Sequence, residues 1–90
     1  MGDLRAAFGV RLRKLRLARK LTLEQLAERA ELHWTYVSGI ERGRRDPGLR
    51  TLSRLAHALG LSLADLLGGL DTAAASPAAR TRPPRPGKSR

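Results

Sequence analysis

An indole, two hydroxyls and three guanidinium groups crowd one short stretch of this chain: Trp34, Thr35 and Ser38, then Arg42, Arg44 and Arg45. Side chains of these types exchange hydrogen bonds and carry fixed positive charge, which suits holding an anion rather than breaking a bond. Catalytic groupings are missing. Without cysteine there is no thiol nucleophile, no disulfide and no Cys-ligated zinc. The only histidines, His33 and His57, stand too far apart in sequence to suggest a shared metal or acid–base site. Ser38 has no neighbouring base and orienting group to activate it. No enzymatic activity, metal or cofactor is expected.

The charge balance indicates what kind of anion. Eighteen Lys and Arg against 8 Asp and Glu leave +10 on 90 residues. Up to residue 70 the balance is 13 against 7, or +6, and from 71 to 90 it is 5 against 1, or +4. A small domain kept soluble by mixed charges usually carries a net charge of about 2 to 8. The excess here favours a polyanionic partner, nucleic acid first.

The elements that must position these groups are helical. Leu and Ala dominate while Trp, Tyr and Phe occur once each, a balance that favours helices over strands. Phe8, Leu12 and Leu15 recur at helical spacing between Leu4 and Arg19, with Arg11, Arg13, Lys14 and Arg19 between them, predicting an amphipathic helix with a basic outer face. Thr22-Leu23-Glu24-Gln25 reads as a capping box that starts a second, short helix with Leu23, Leu26, Ala27 and Ala30 inward. After a tight turn, a third helix runs from about His33 to Arg42, burying Val37 and Ile40 and ending at Gly43. Leu49, Leu52, Leu55, Ala56 and Leu59 predict a fourth, stopped by Gly60. Ser62 caps a fifth, whose Leu63, Leu66 and Leu67 are more apolar than so short a helix needs, leaving some free to meet a partner. Residues 1–70 thus form one all-α, five-helix domain, and residues 71–90, rich in Ala, Pro, Ser and Arg, form a disordered basic tail. The tail's Pro/Arg run resembles a proline-rich ligand, but a flexible extension adding non-specific DNA affinity is the favoured reading. The run from Leu66 to Ala75 is too short and Gly-rich to span a bilayer, and the N-terminus lacks the apolar core of a signal peptide, so a cytoplasmic location is expected.

Two short helices joined by a tight turn suggest a helix-turn-helix, the second of the pair entering the major groove. Leu21 to Ala30, followed by Thr35-Tyr36-Val37-Ser38-Gly39-Ile40-Glu41-Arg42-Gly43-Arg44-Arg45-Asp46-Pro47, resembles the XRE family of lambda-repressor-like, or Cro-like, helix-turn-helix regulators. The stretch from Leu32 to Arg45 is similar to the controller proteins of restriction–modification systems. The likeness extends to Leu70 and implies a compact lambda-repressor-like fold on double-stranded DNA. It also implies an ion pair between Arg16 and Glu41, and base reading by Trp34, Thr35, Ser38 and Gly39. Phosphate binding falls to Thr22, Gln25, Tyr36, Arg42, Arg44 and Arg45. Thr35 and Ser38, able to donate or accept, read bases permissively, and Trp34 either touches a thymine methyl or sugar or packs on the first helix or a loop. This sequence departs from the family at Leu23, where many relatives carry a phosphate-binding Gln, and at Glu31, where many carry Gly. His33 is also a weak N-cap.

The expected assembly is a homodimer through Leu63, Leu66, Leu67 and Leu70 on a pseudo-palindromic operator, regulating transcription with no small-molecule effector. The alternative is an antitoxin or other protein-interaction module of the same fold, whose partner is a protein. Single-stranded RNA is disfavoured by the lack of aromatic platforms beyond Trp34 and Tyr36.

Overall fold

Five helices follow one another in the computed structural model, which describes residues 3–70: α1 (Leu4–Ala18), α2 (Leu23–Ala30), α3 (Trp34–Glu41), α4 (Leu49–Leu59) and α5 (Leu63–Leu66). The tail expected over 71–90 lies outside the described residues. Among those described there is no strand, as the composition led one to expect, and no helix long and apolar enough to cross a membrane.

Local chemistry sets most boundaries. At the start of α2, Thr22 Oγ1 accepts from the Gln25 amide at 3.1 Å while Gln25 Oε1 accepts from the Thr22 amide at 2.8 Å, so the capping box is closed in both directions. Ser62 Oγ caps α5 by accepting from the Asp65 amide at 3.0 Å. Asp3, which the sequence reading passed over, caps α1 through the Arg5 and Ala6 amides. Gly43 and Gly60 adopt left-handed φ of 76° and 72° just past α3 and α4. Two residues adopt the same conformation without glycine's freedom. Lys20 (φ 57°) reverses the chain between α1 and α2, and Glu31 (φ 58°) does so between α2 and α3. Each carries a steric cost of about 1 kcal/mol.

The core is drawn from every helix: Phe8 and Leu12 of α1, Leu26, Ala27 and Ala30 of α2, Val37 and Ile40 of α3, Leu55, Ala56 and Leu59 of α4, and Leu66 of α5. Leu21 and Leu70 close its ends. Packing runs α1 on α3, α3 on α2, α2 on α4 and α4 on α5, so α3 is gripped from two sides and keeps one face free.

Three expectations need correction. Leu49, grouped with the apolar face of α4, is 76% exposed and stands outside the core, as the first residue of that helix. Leu66 and Leu70 are buried inside the chain's own core at 0% and 8% exposure, so they are not free for a partner. Finally, the outer face of α1 is less basic than its spacing suggests. Arg11 turns back to donate to the Leu66 carbonyl oxygen at 2.7 Å and to that of Asp65, and Arg19 donates to the Leu59 carbonyl oxygen at 2.6 Å. The Leu66 and Leu59 carbonyls lie at the C-terminal ends of α5 and α4, where no intrahelical donor remains and partial negative charge collects. Arg11 and Arg19 therefore serve the fold.

Candidate nucleic-acid interface

The free face of α3 is defined by what its other face does. Val37 and Ile40 are fully buried and Tyr36 packs partly against the same core. With inward positions taken at 36, 37 and 40, helical geometry turns Trp34, Thr35 and Ser38 outward. The C-terminal end is fixed by a fork of charge. Arg16 Nε and NH2 donate to Glu41 Oε2 and Oε1 at 2.7 and 3.0 Å, and Arg16 NH1 donates to the Leu21 carbonyl oxygen at 2.9 Å. Both side chains are nearly out of water, 11% and 7% exposed. The hydrogen-bonded Glu41 carboxylate raises Arg16 above the ordinary guanidinium value despite that burial, so Arg16 keeps its charge. This pair joins α1 and the α1–α2 turn to the last residue of α3. The close approach also requires Gly9, which the sequence reading did not single out. A Cβ there would stand 2.5 Å from the carbonyl oxygens of Ile40 and Glu41.

Trp34, Thr35, Ser38, Gly39, Arg42, Arg44 and Arg45 line one shallow concavity. All four residues expected to read bases are there, together with three of those expected to bind phosphate, and none of the seven is acidic. Trp34 lies outside the core and is 48% exposed, its ring alongside that of His33 with centroids 6.3 Å apart. Arg45 crosses α3 so that its guanidinium carbon sits 5.9 Å from the centre of the Tyr36 ring, within reach of a cation–π attraction of about 0.5–1 kcal/mol at an exposed site. The Arg44 amide donates to the Gly39 carbonyl oxygen at 2.8 Å, which ties the basic loop to the helix it follows. An indole face, two hydroxyls and three guanidiniums gathered along one side of α3 and the loop after it can meet base edges and phosphates at once.

Thr22 and Gln25 stand apart from this hollow, at the exposed start of α2. Their mutual capping uses the Thr22 oxygen and the Gln25 Oε1 as acceptors, leaving the hydroxyl hydrogen and the amide NH2 as donors for an anion. Tyr36, half-buried beneath Arg45, holds that arginine in place more than it offers a surface of its own. Of the leucines expected at a dimer contact, Leu63 is 38% exposed and Leu67 half-buried. Leu67 lines a second, mostly apolar hollow with Leu4, Phe8, Pro47 and Leu52. Among the described residues no cluster of His, Asp or Glu is arranged to hold a metal.

Comparison with known proteins gives a consistent answer. The helix-turn-helix family HTH_3 matches residues 12–66, from the middle of α1 to the end of α5. The immunity repressor protein of Bacillus phage phi105 is 45% identical over 60 residues, 67% of this chain but 42% of the repressor, so the chain spans less than half that relative's length. Control protein C.BamHI of Bacillus amyloliquefaciens is 39% identical over 66 residues, 72% of this chain and 82% of its own. Among solved structures, the restriction-modification controller protein C.AhdI from Aeromonas hydrophila superposes with a TM-score of 0.68 at 42% identity, covering 69% of this chain and 94% of that one.

Proposed function

This chain belongs to the HTH_3 helix-turn-helix family of DNA-binding transcriptional regulators, and from that premise we propose that it docks α3 in the major groove of duplex DNA as a homodimer on a pseudo-palindromic operator. The observation that carries this reading is the single concavity in which Trp34, Thr35, Ser38 and Gly39 meet Arg42, Arg44 and Arg45. Phosphate contacts by the arginines and by the start of α2 set register and affinity, and the exposed side chains at the start of α3 meet base edges. The action is binding, not catalysis.

A second copy would cover the apolar surface that this chain leaves open at Leu63 and Leu67. An isologous contact there would set two copies of α3 about one DNA turn, roughly 34 Å, apart. Occupancy of such a site would control a promoter, a reading supported by the likeness to an immunity repressor protein and to control protein C.BamHI.

Selection of bound sites from random duplex DNA tests the reading directly. A two-fold symmetric motif is expected. Affinity for it should fall by about 10³ to 10⁵ between 50 and 200 mM salt if about 6 to 10 phosphates are neutralised. No enriched motif, or an affinity indifferent to salt, would overturn it.

A further inference from the structure

His33 and Thr35 make a contact whose direction can be worked out. Nδ1 of His33 lies 3.2 Å from the backbone nitrogen of Thr35 and 2.7 Å from Thr35 Oγ1. A backbone N–H can only donate, so Nδ1 is the acceptor and the neutral imidazole carries its hydrogen on Nε2. A ring nitrogen without a hydrogen has nothing to give the hydroxyl at 2.7 Å, so the Thr35 hydroxyl donates as well. Its one hydrogen is thereby turned back toward His33. Only lone pairs remain for the concavity that Thr35 lines. The Trp34 ring flanks the imidazole at an interplanar angle of 24°, limiting its freedom to swing away.

Resting on the DNA-binding reading above, we infer that His33 is a positioning residue that fixes Thr35 as an acceptor-only reader, selecting a base that presents a donor in the major groove. Adenine, through its N6 amine, and cytosine, through its N4 amine, satisfy such a reader. Guanine (N7, O6) and thymine (O4) meet its lone pairs with acceptors of their own. The hydroxyl is therefore not permissive, as its chemistry alone implies, but polarised by its neighbour two residues earlier. A mismatch at that base should cost roughly tenfold in affinity, the scale of leaving one polar partner unsatisfied.

The test pairs selection from random duplex DNA with a measurement on the free full chain. Wild-type protein should enrich A or C at one position of each half-site. Thr35→Val, which keeps the shape and loses the lone pairs, should lose that preference. His33→Ala should relax it toward all four bases, and His33→Asn, whose carbonyl again accepts from both Thr35 groups, should restore it. Should His33→Ala not fold by circular dichroism, the Asn and Thr35→Val arms decide. Nitrogen-15 NMR of the free chain at alkaline pH should show the hydrogen of His33 on Nε2. No enriched motif at all would overturn the DNA-binding reading and this inference with it. A clear motif unchanged in Thr35→Val or His33→Ala, or a hydrogen found on Nδ1, would overturn this inference alone.

Discussion

Arg45 lies across α3 at the one position where the helix has no side chain: a Cβ on Gly39 would stand 2.7 Å from Arg45 Cγ. The arginine stem occupies that space and its guanidinium ends over Tyr36. In the proposed complex Gly39 would therefore act through the placement of Arg45 rather than by contact of its own.

Gly39→Ala should separate stability from binding. Alanine in a helix interior is favoured over glycine by about 0.5–1 kcal/mol, and the displacement of Arg45 Cγ, near the root of that side chain, offsets part of this gain. The melting temperature should hold or rise slightly, while DNA affinity falls by roughly tenfold as Arg45 is pushed off its perch. Thermal melts beside fluorescence anisotropy on the selected operator would check both, and undiminished affinity would show that Arg45 needs no such seat.

Arg16→Ala should cost about 3 kcal/mol, because it strands the nearly buried Glu41 carboxylate without a partner. Urea unfolding measures it. In a double-mutant cycle with Glu41→Ala, the two losses should fall well short of adding, and simple additivity would mean that the pair does not act as a unit.

Phosphate and base contacts should part company in their effects. Arg44→Ala is expected to weaken binding to all duplexes alike and to reduce the salt slope by about one per site occupied, whereas Trp34→Ala or Thr35→Ala should change the preference between sequences. Equal effects of all three on every duplex would contradict the roles assigned to them.

The leucines of α5 should divide by burial. Leu63→Lys, on a partly exposed site, is expected to yield a folded monomer in sedimentation, while Leu66→Ala, at full burial, should cost about 2–5 kcal/mol of stability. A Leu63→Lys protein that remains dimeric would move the interface elsewhere.

Glu31→Gly should raise stability by about 0.5–1 kcal/mol, since the left-handed backbone at φ 58° is relieved of its Cβ at a partly offsetting cost in unfolded-state entropy. A shift of the urea midpoint to lower concentration would show that the Glu31 side chain supplies something this geometry does not reveal.

What was legible in the sequence was local. The Thr22–Gln25 capping box, the inward pair Val37 and Ile40, the glycine stops at 43 and 60 and the Ser62 cap all involve residues within a turn or so of each other, where covalent geometry leaves few alternatives. The same spacing laid Trp34, Thr35 and Ser38 on one side of α3. Arg16 and Glu41 were paired through resemblance to a family, since nothing in their spacing requires it.

Partners distant in sequence decided the rest. Arg11 and Arg13 look alike on α1, yet only Arg11 reaches the carbonyls at the end of α5, 55 residues away, so net charge overstated how much of the basic surface is free for DNA. Leu63 and Leu66 are both apolar at helical spacing, and which one is buried depends on the rotation of α5 against α4. Gly9 matters only because the end of α3 comes down on it. Sequence settled which residues form helices and which side of α3 faces outward, because backbone geometry and apolar periodicity act over a few residues. Which arginines, leucines and hydroxyl hydrogens remain available was settled only by the folded chain, because availability is what is left after long-range packing and hydrogen bonding have taken their share.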